Sequence, residues 1–144
     1  MNSIKILQEN RLMKTSQEIK LFEETLEKLA KYPDDKHLKD LHLILDDNCE
    51  HPEIMFSLLH FLEDFEPQQQ IQAFIEVIPQ LMITAPEWTK IIHYRMINDE
   101  SAVKIYQNSL ELANQKTPHF LYQLLLESVK NYINSSSEVI LTCS

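Results

Sequence analysis

Glycine is absent from all 144 residues, where an average chain of this length carries roughly ten. Devices that rely on positive φ, or on close backbone approach without a Cβ, are therefore not expected. That removes the phosphate-cradling loop, the dinucleotide fingerprint and the nucleophile elbow, and it leaves tight β-hairpins without their usual turn residues. Positive charge is missing from a long stretch as well. No Lys or Arg lies between Lys39 and Lys90, while ten acids fall there: Asp40, Asp46, Asp47, Glu50, Glu53, Glu63, Asp64, Glu66, Glu76 and Glu87. No run approaches the ~20 uninterrupted apolar residues of a membrane span, and the opening MNSIKILQEN lacks the apolar stretch of a secretory signal. Cysteine is limited to Cys49 and Cys143, at a spacing no metal or redox motif uses. A soluble protein of a reduced cytosol is expected.

The length suits one domain, 1–144, with a real core. What fills it is helical periodicity. Thr15 followed by Glu18 has capping-box spacing, and Ile19, Phe22, Leu26 and Leu29 then recur at helical intervals up to Tyr32 and Pro33. The first fourteen residues carry only a weak pattern and read as a loose arm or a short helix. Asp34 or Asp35 can cap a second helix with Leu38, Leu41, Ile44 and Leu45 on its apolar side, ending near Asp47 before a loop from Asp46 to His51. Pro52 and Pro86 each precede an apolar run with an acid just behind, which suits a first helical turn. From Pro52, the residues Met55, Leu58, Leu59, Leu62 and Phe65 share a stripe widened by Ile54 and Phe61, leaving Glu53, Ser57, His60 and Asp64 on a narrow polar line. The run from Gln68 to Met82 is amphipathic and contains Pro79, where a kink or an early end is expected. Val103, Tyr106, Leu110 and Ala113 mark a further helix. Thr117 and Pro118 open the last one, whose apolar face is Leu121, Leu124, Leu125 and Val129, and residues 135–144 read as a frayed tail or a short docked strand. The fold class expected is all-α, about seven helices stacked as antiparallel hairpins. The separations of Pro52, Pro86 and Pro118, 34 and 32 residues, suggest a HEAT-like, solenoid-like arrangement.

Acidity concentrated in the middle of the chain disfavours nucleic-acid binding there, since phosphate neutralisation needs Lys or Arg. It is either a solvated surface that aids solubility or a docking face for a basic partner. Asp46, Asp47, Cys49, Glu50 and His51, and the line from Glu53 to His60, are the only places where metal ligands gather, and none has recognised metal-site spacing. Cys49 and His51 formally supply a nucleophile and a base, but neighbouring acids raise a thiol's pKa rather than lower it. Neither a cofactor, nor a metal, nor catalysis is expected. Arg95 projects into the apolar stripe of Trp88, Ile91, Ile92 and Met96, so it needs a carboxylate or carbonyls, or must snorkel along Trp88 to solvent. Glu63, at the edge of its own helix's apolar face, is the expected partner in a structural ion pair.

The run from Ile54 to Phe65, then Pro79-Gln80-Leu81, then Ala85-Pro86-Glu87-Trp88 with Arg95, Ile97, Asn98 and Asp99, resembles the immunity protein 30 family over roughly residues 16 to 115. These are bacterial all-α proteins encoded beside polymorphic toxins. The resemblance implies a protein that binds a cognate toxin domain in the cytoplasm and blocks it, without catalysis, and many such toxins are basic nucleases. It supplies no binding-residue motif. From the charge pattern, the expected contact surface is Asp46, Asp47, Glu50, Glu53, His60 and Asp64, with no membrane or nucleic acid as partner. The competing reading is a generic helical scaffold or adaptor for another protein.

Overall fold

The computed structural model describes residues 2–143, with side chains described for 2–135. Among the described residues the chain forms eight α-helices and one 3-10 turn, and no strand. The all-α expectation is met. The chain divides into two compact units, Met1–Thr89 and Lys90–Ser144.

The first unit opens with α1 (Ser3–Asn10), where a loose arm or short helix was the expectation. It is held because Ile4 and Leu7 bury and because the Asn2 side chain accepts from the Ile4 amide at 3.0 Å. The turn that follows places Met13 at φ 53, so a left-handed position exists in a chain that has no glycine for it. A left-handed residue with a Cβ costs about 1–2 kcal/mol, while Met13 is fully buried, which contributes about 1.5–3 kcal/mol; burial wins. α2 (Ser16–Lys31) starts where the capping box predicts. The Thr15 hydroxyl accepts from the Glu18 amide at 3.1 Å, and Glu18 reaches back one residue further than usual, to the Lys14 amide at 3.3 Å.

Asp34 caps a 3-10 turn, Asp35–His37, rather than a long helix, and α3 (Leu38–His42) ends five residues before Asp47. α4 (Pro52–Glu63) and α5 (Pro67–Thr84) each carry proline in the first turn, where the missing amide has no helical partner to lose. Met55, Leu58, Leu59, Phe61 and Leu62 bury along α4 as the stripe predicts. α5 runs through Pro79 to Thr84 instead of ending there; seven buried side chains, Ile71 to Leu81, hold it in place against the roughly 3 kcal/mol an interior proline costs.

α6 (Pro86–Ile97) crosses the boundary between the units. Its buried face is Trp88, Thr89, Ile92, His93, Met96 and Ile97, rotated from the Trp88, Ile91, Ile92, Met96 stripe so that Ile91 is half-buried and Arg95 is exposed. In the second unit α7 (Val103–Lys116) and α8 (Phe120–Cys143) pack against each other. His119 rather than Thr117 caps α8: its Nδ1 accepts from the Leu121 amide at 3.1 Å, while Asn114 Oδ1 holds the His119 amide at 3.1 Å. Leu121, Tyr122 and Val129 bury, but Leu124 is 59% exposed, so the real face is narrower than the expected one. Residues 135–143, expected as a frayed tail or a short docked strand after the helix ends, instead continue α8 to Cys143; Ser144 and the side chains from 136 onward lie outside the described residues.

Candidate partner-binding surface

The loop before α4 carries half of the expected acidic surface, and most of its charge is spent on the fold. Asp46 is 6% exposed. Its Oδ2 lies 3.4 Å from Arg11 Nε and its Oδ1 accepts from the Asn48 amide at 2.8 Å, while Arg11 also donates to the Leu43 carbonyl at 3.3 Å. A cation from the end of α1 therefore enters a stretch that has none of its own in sequence. Asp47 is half-buried and receives the first amides of α6, Glu87 N at 2.9 Å on Oδ2 and Trp88 N at 3.2 Å on Oδ1. Pro86 has no amide to offer, and Ala85 ahead of it has no side-chain acceptor, so the cap comes from 40 residues upstream. The Asp47 amide donates to the Thr84 carbonyl and the Glu50 amide to the Leu12 carbonyl. Asp46 is thus buried against Arg11 and Asp47 half-buried against a helix end, where a carboxylate is favoured, which corrects their assignment to an exposed patch.

Glu53, Ser57, His60 and Asp64 are exposed, as the helical projection from Pro52 predicts, and so is Glu50 in the preceding loop. Glu53 accepts from His51 Nδ1 at 3.1 Å, and its carboxyl sits below the usual range through its own backbone hydrogen bond and the His51 contact. Cys49, a buried residue of this loop, has its thiol pushed up by burial, with Asp46, Glu53 and Asp47 adding to the shift. It is a weak nucleophile.

α2 contributes a face the charge pattern did not include. Between it and α4 runs an open cleft of about 440 Å³, with Glu23 and Glu27 on the α2 side and Ser57, His60 and Asp64 on the α4 side. Leu26, Ile54 and Phe61 form its floor. A smaller hollow of about 80 Å³ continues it past Ala30 and Asp64 to Pro33 and Phe65. Among the described residues ion pairs form at Arg11–Asp46, Lys20–Glu24, Lys39–Glu76 and His51–Glu53, and none of these four neutralises Glu23, Glu27 or Asp64. The acids of α2 are visible in the sequence; that this helix lies beside the outward line of α4 is not.

Glu63 is half-buried in the first unit, and Arg95 is exposed in the second. That exposure corrects the expected place of Arg95 inside the apolar stripe of α6. The second unit instead buries His93, whose Nδ1 lies 2.7 Å from the Tyr106 hydroxyl and Nε2 2.9 Å from Ser128 Oγ. Burial lowers this histidine to about 4 and pushes the Tyr106 phenol well up. A neutral ring with one donor and one acceptor nitrogen, matched to two hydroxyls, satisfies a polar core. His42 does likewise in the first unit: fully buried, with Nδ1 2.7 Å from the Leu38 carbonyl, it is lowered to about 4 by burial despite that bond. Among the described residues no group of three or more His, Cys, Asp or Glu is placed to hold a metal ion, and no helix is long and apolar enough to cross a membrane.

Comparison with known families matches residues 9–106 to the family described as Immunity protein 30. No curated protein and no solved structure matches.

Proposed function

Because the chain belongs to the Immunity protein 30 family, we propose that it binds a cognate toxin domain in the bacterial cytoplasm and blocks it, and that the contact uses the exposed acids of α4 and of the loop before it. The observation that carries this reading is the row Glu50, Glu53 and Asp64, exposed together with His60 in a stretch without Lys or Arg. Such a surface suits a basic toxin, a nuclease being the apt class. Negative potential speeds encounter with a basic domain and opposes the nucleic acid that would compete for it. Binding alone accounts for the protection, and no catalytic step is invoked.

The test is co-expression with the toxin encoded next to this chain's gene. Wild type restores growth. Replacing Glu50, Glu53 and Asp64 by Lys, with helicity checked by circular dichroism, slows association and weakens protection. Full protection by that variant, with an association rate at low salt equal to that of wild type, moves the contact elsewhere, and loss of growth in the presence of wild type refutes the immunity reading.

A further inference from the structure

Resting on the toxin-binding reading, we propose that the cleft between α2 and α4 seats an arginine of the toxin, with the aliphatic stem of that arginine on the cleft floor. α2 thereby becomes half of the contact surface, with Glu23 and Glu27 as its specificity-bearing residues.

The cleft has two chemistries that a guanidinium side chain combines. Leu26 and Phe61 are each 7% exposed, so they offer an apolar bed set below the helix crests, fit for the three methylenes of an arginine stem. The rim carries Glu23 and Glu27 from one helix and Asp64 from the other. Glu23 and Glu27 are four residues apart and so stand on the same side of α2, and Asp64 closes the opposite wall. Carboxylates on two walls match the several N–H donors of a planar guanidinium better than the single point of an ammonium. The cations of α2 do not fill this role: no Lys or Arg lines the cleft, and Lys20 engages Glu24 at 4.0 Å. Arginine is also among the residues that dominate binding energy at protein interfaces.

The experiment measures affinity of the full chain for its cognate toxin, with three variants of exposed residues. Glu27→Lys places a positive charge in the rim. Ala30→Trp fills the cleft without changing charge. Glu100→Lys, an exposed site outside the cleft, repeats the charge change as a control. Glu27→Lys and Ala30→Trp should each weaken binding by about tenfold or more, with Glu100→Lys within about twofold of wild type. An alanine scan of the toxin's arginines should find one whose loss is non-additive with Glu27→Gln. Wild-type affinity in Ala30→Trp, or a Glu27→Lys effect no larger than that of Glu100→Lys, overturns the cleft while leaving the immunity reading intact. Failure of the wild-type chain to bind the toxin overturns both. Self-association that Ala30→Trp abolishes, with toxin binding unchanged, gives the cleft to a second copy and also overturns the proposal.

Discussion

Asp47 is the residue whose role differs most between a charge map and the fold, and its replacement is a sharp test. Its carboxylate accepts two amides at the start of α6, at 2.9 and 3.2 Å. Removing a helix cap costs about 0.5–2 kcal/mol, and loss of a negative charge at a helix N-terminus adds about 0.3–1 kcal/mol. No neighbouring side chain replaces it, because Ala85 and Pro86 precede the two amides. Asp47→Ala should therefore destabilise by about 2 kcal/mol, and Asp47→Asn, which keeps one acceptor oxygen, by about half as much. Urea unfolding followed by circular dichroism and by the fluorescence of Trp88, which packs edge-on against Phe56 at 4.8 Å, reads the difference. Toxin binding by the folded variant should stay near the wild-type value, since this carboxylate faces a helix end. A stability change within about 0.5 kcal/mol, the range of an ordinary surface substitution, would refute the capping argument.

The two buried histidines predict acid sensitivity. Both His42 and His93 are lowered to about 4 from 6.5, so the unfolded state binds more protons between those values. Their contribution is fully present above about pH 6.5, is lost as pH falls towards 4, and amounts to about 3 kcal/mol each. Stability measured across that window should fall, with a shallower slope in His42→Gln; an unchanged slope would contradict its neutral burial. Arg11→Leu strands the Asp46 carboxylate and should cost roughly 2 kcal/mol, little altered by added salt because the acid is buried; a loss below about 0.5 kcal/mol would show the pair to be idle. We also propose that the chain behaves as one domain, so circular dichroism and Trp88 fluorescence should report one coincident unfolding transition. Two separated transitions would contradict it.

Where a feature depends on neighbours in sequence, it was legible there. Thr15, Pro52 and Pro86 announce their helices because capping and the proline first turn are local, and the stripe of α4 follows from helical periodicity alone. Features made by distant residues were not. Asp47 reads as one more free acid until α6 is placed against it, and Arg11 is invisible as the partner of Asp46 across 35 positions of chain. Arg95 falls inside an apolar stripe on a helical wheel, yet burial of Thr89 and His93 turns the true face away from it. Those two carry polar atoms that a hydrophobicity pattern discounts, although Thr89 donates to the Ala85 carbonyl at 2.8 Å and His93 is matched on both nitrogens. The acids of α2 were in view throughout; what the pattern lacked was the pairing of α2 with α4 that makes them a wall.

The most direct test of the toxin-blocking account is a titration of the purified cognate toxin's activity with the purified chain, beside the Glu50, Glu53 and Asp64 to Lys variant. The account predicts that activity falls to background as the wild-type chain reaches stoichiometric amount, and that the variant requires an excess that grows with salt less steeply than for wild type. Full toxin activity in the presence of excess wild-type chain would contradict it.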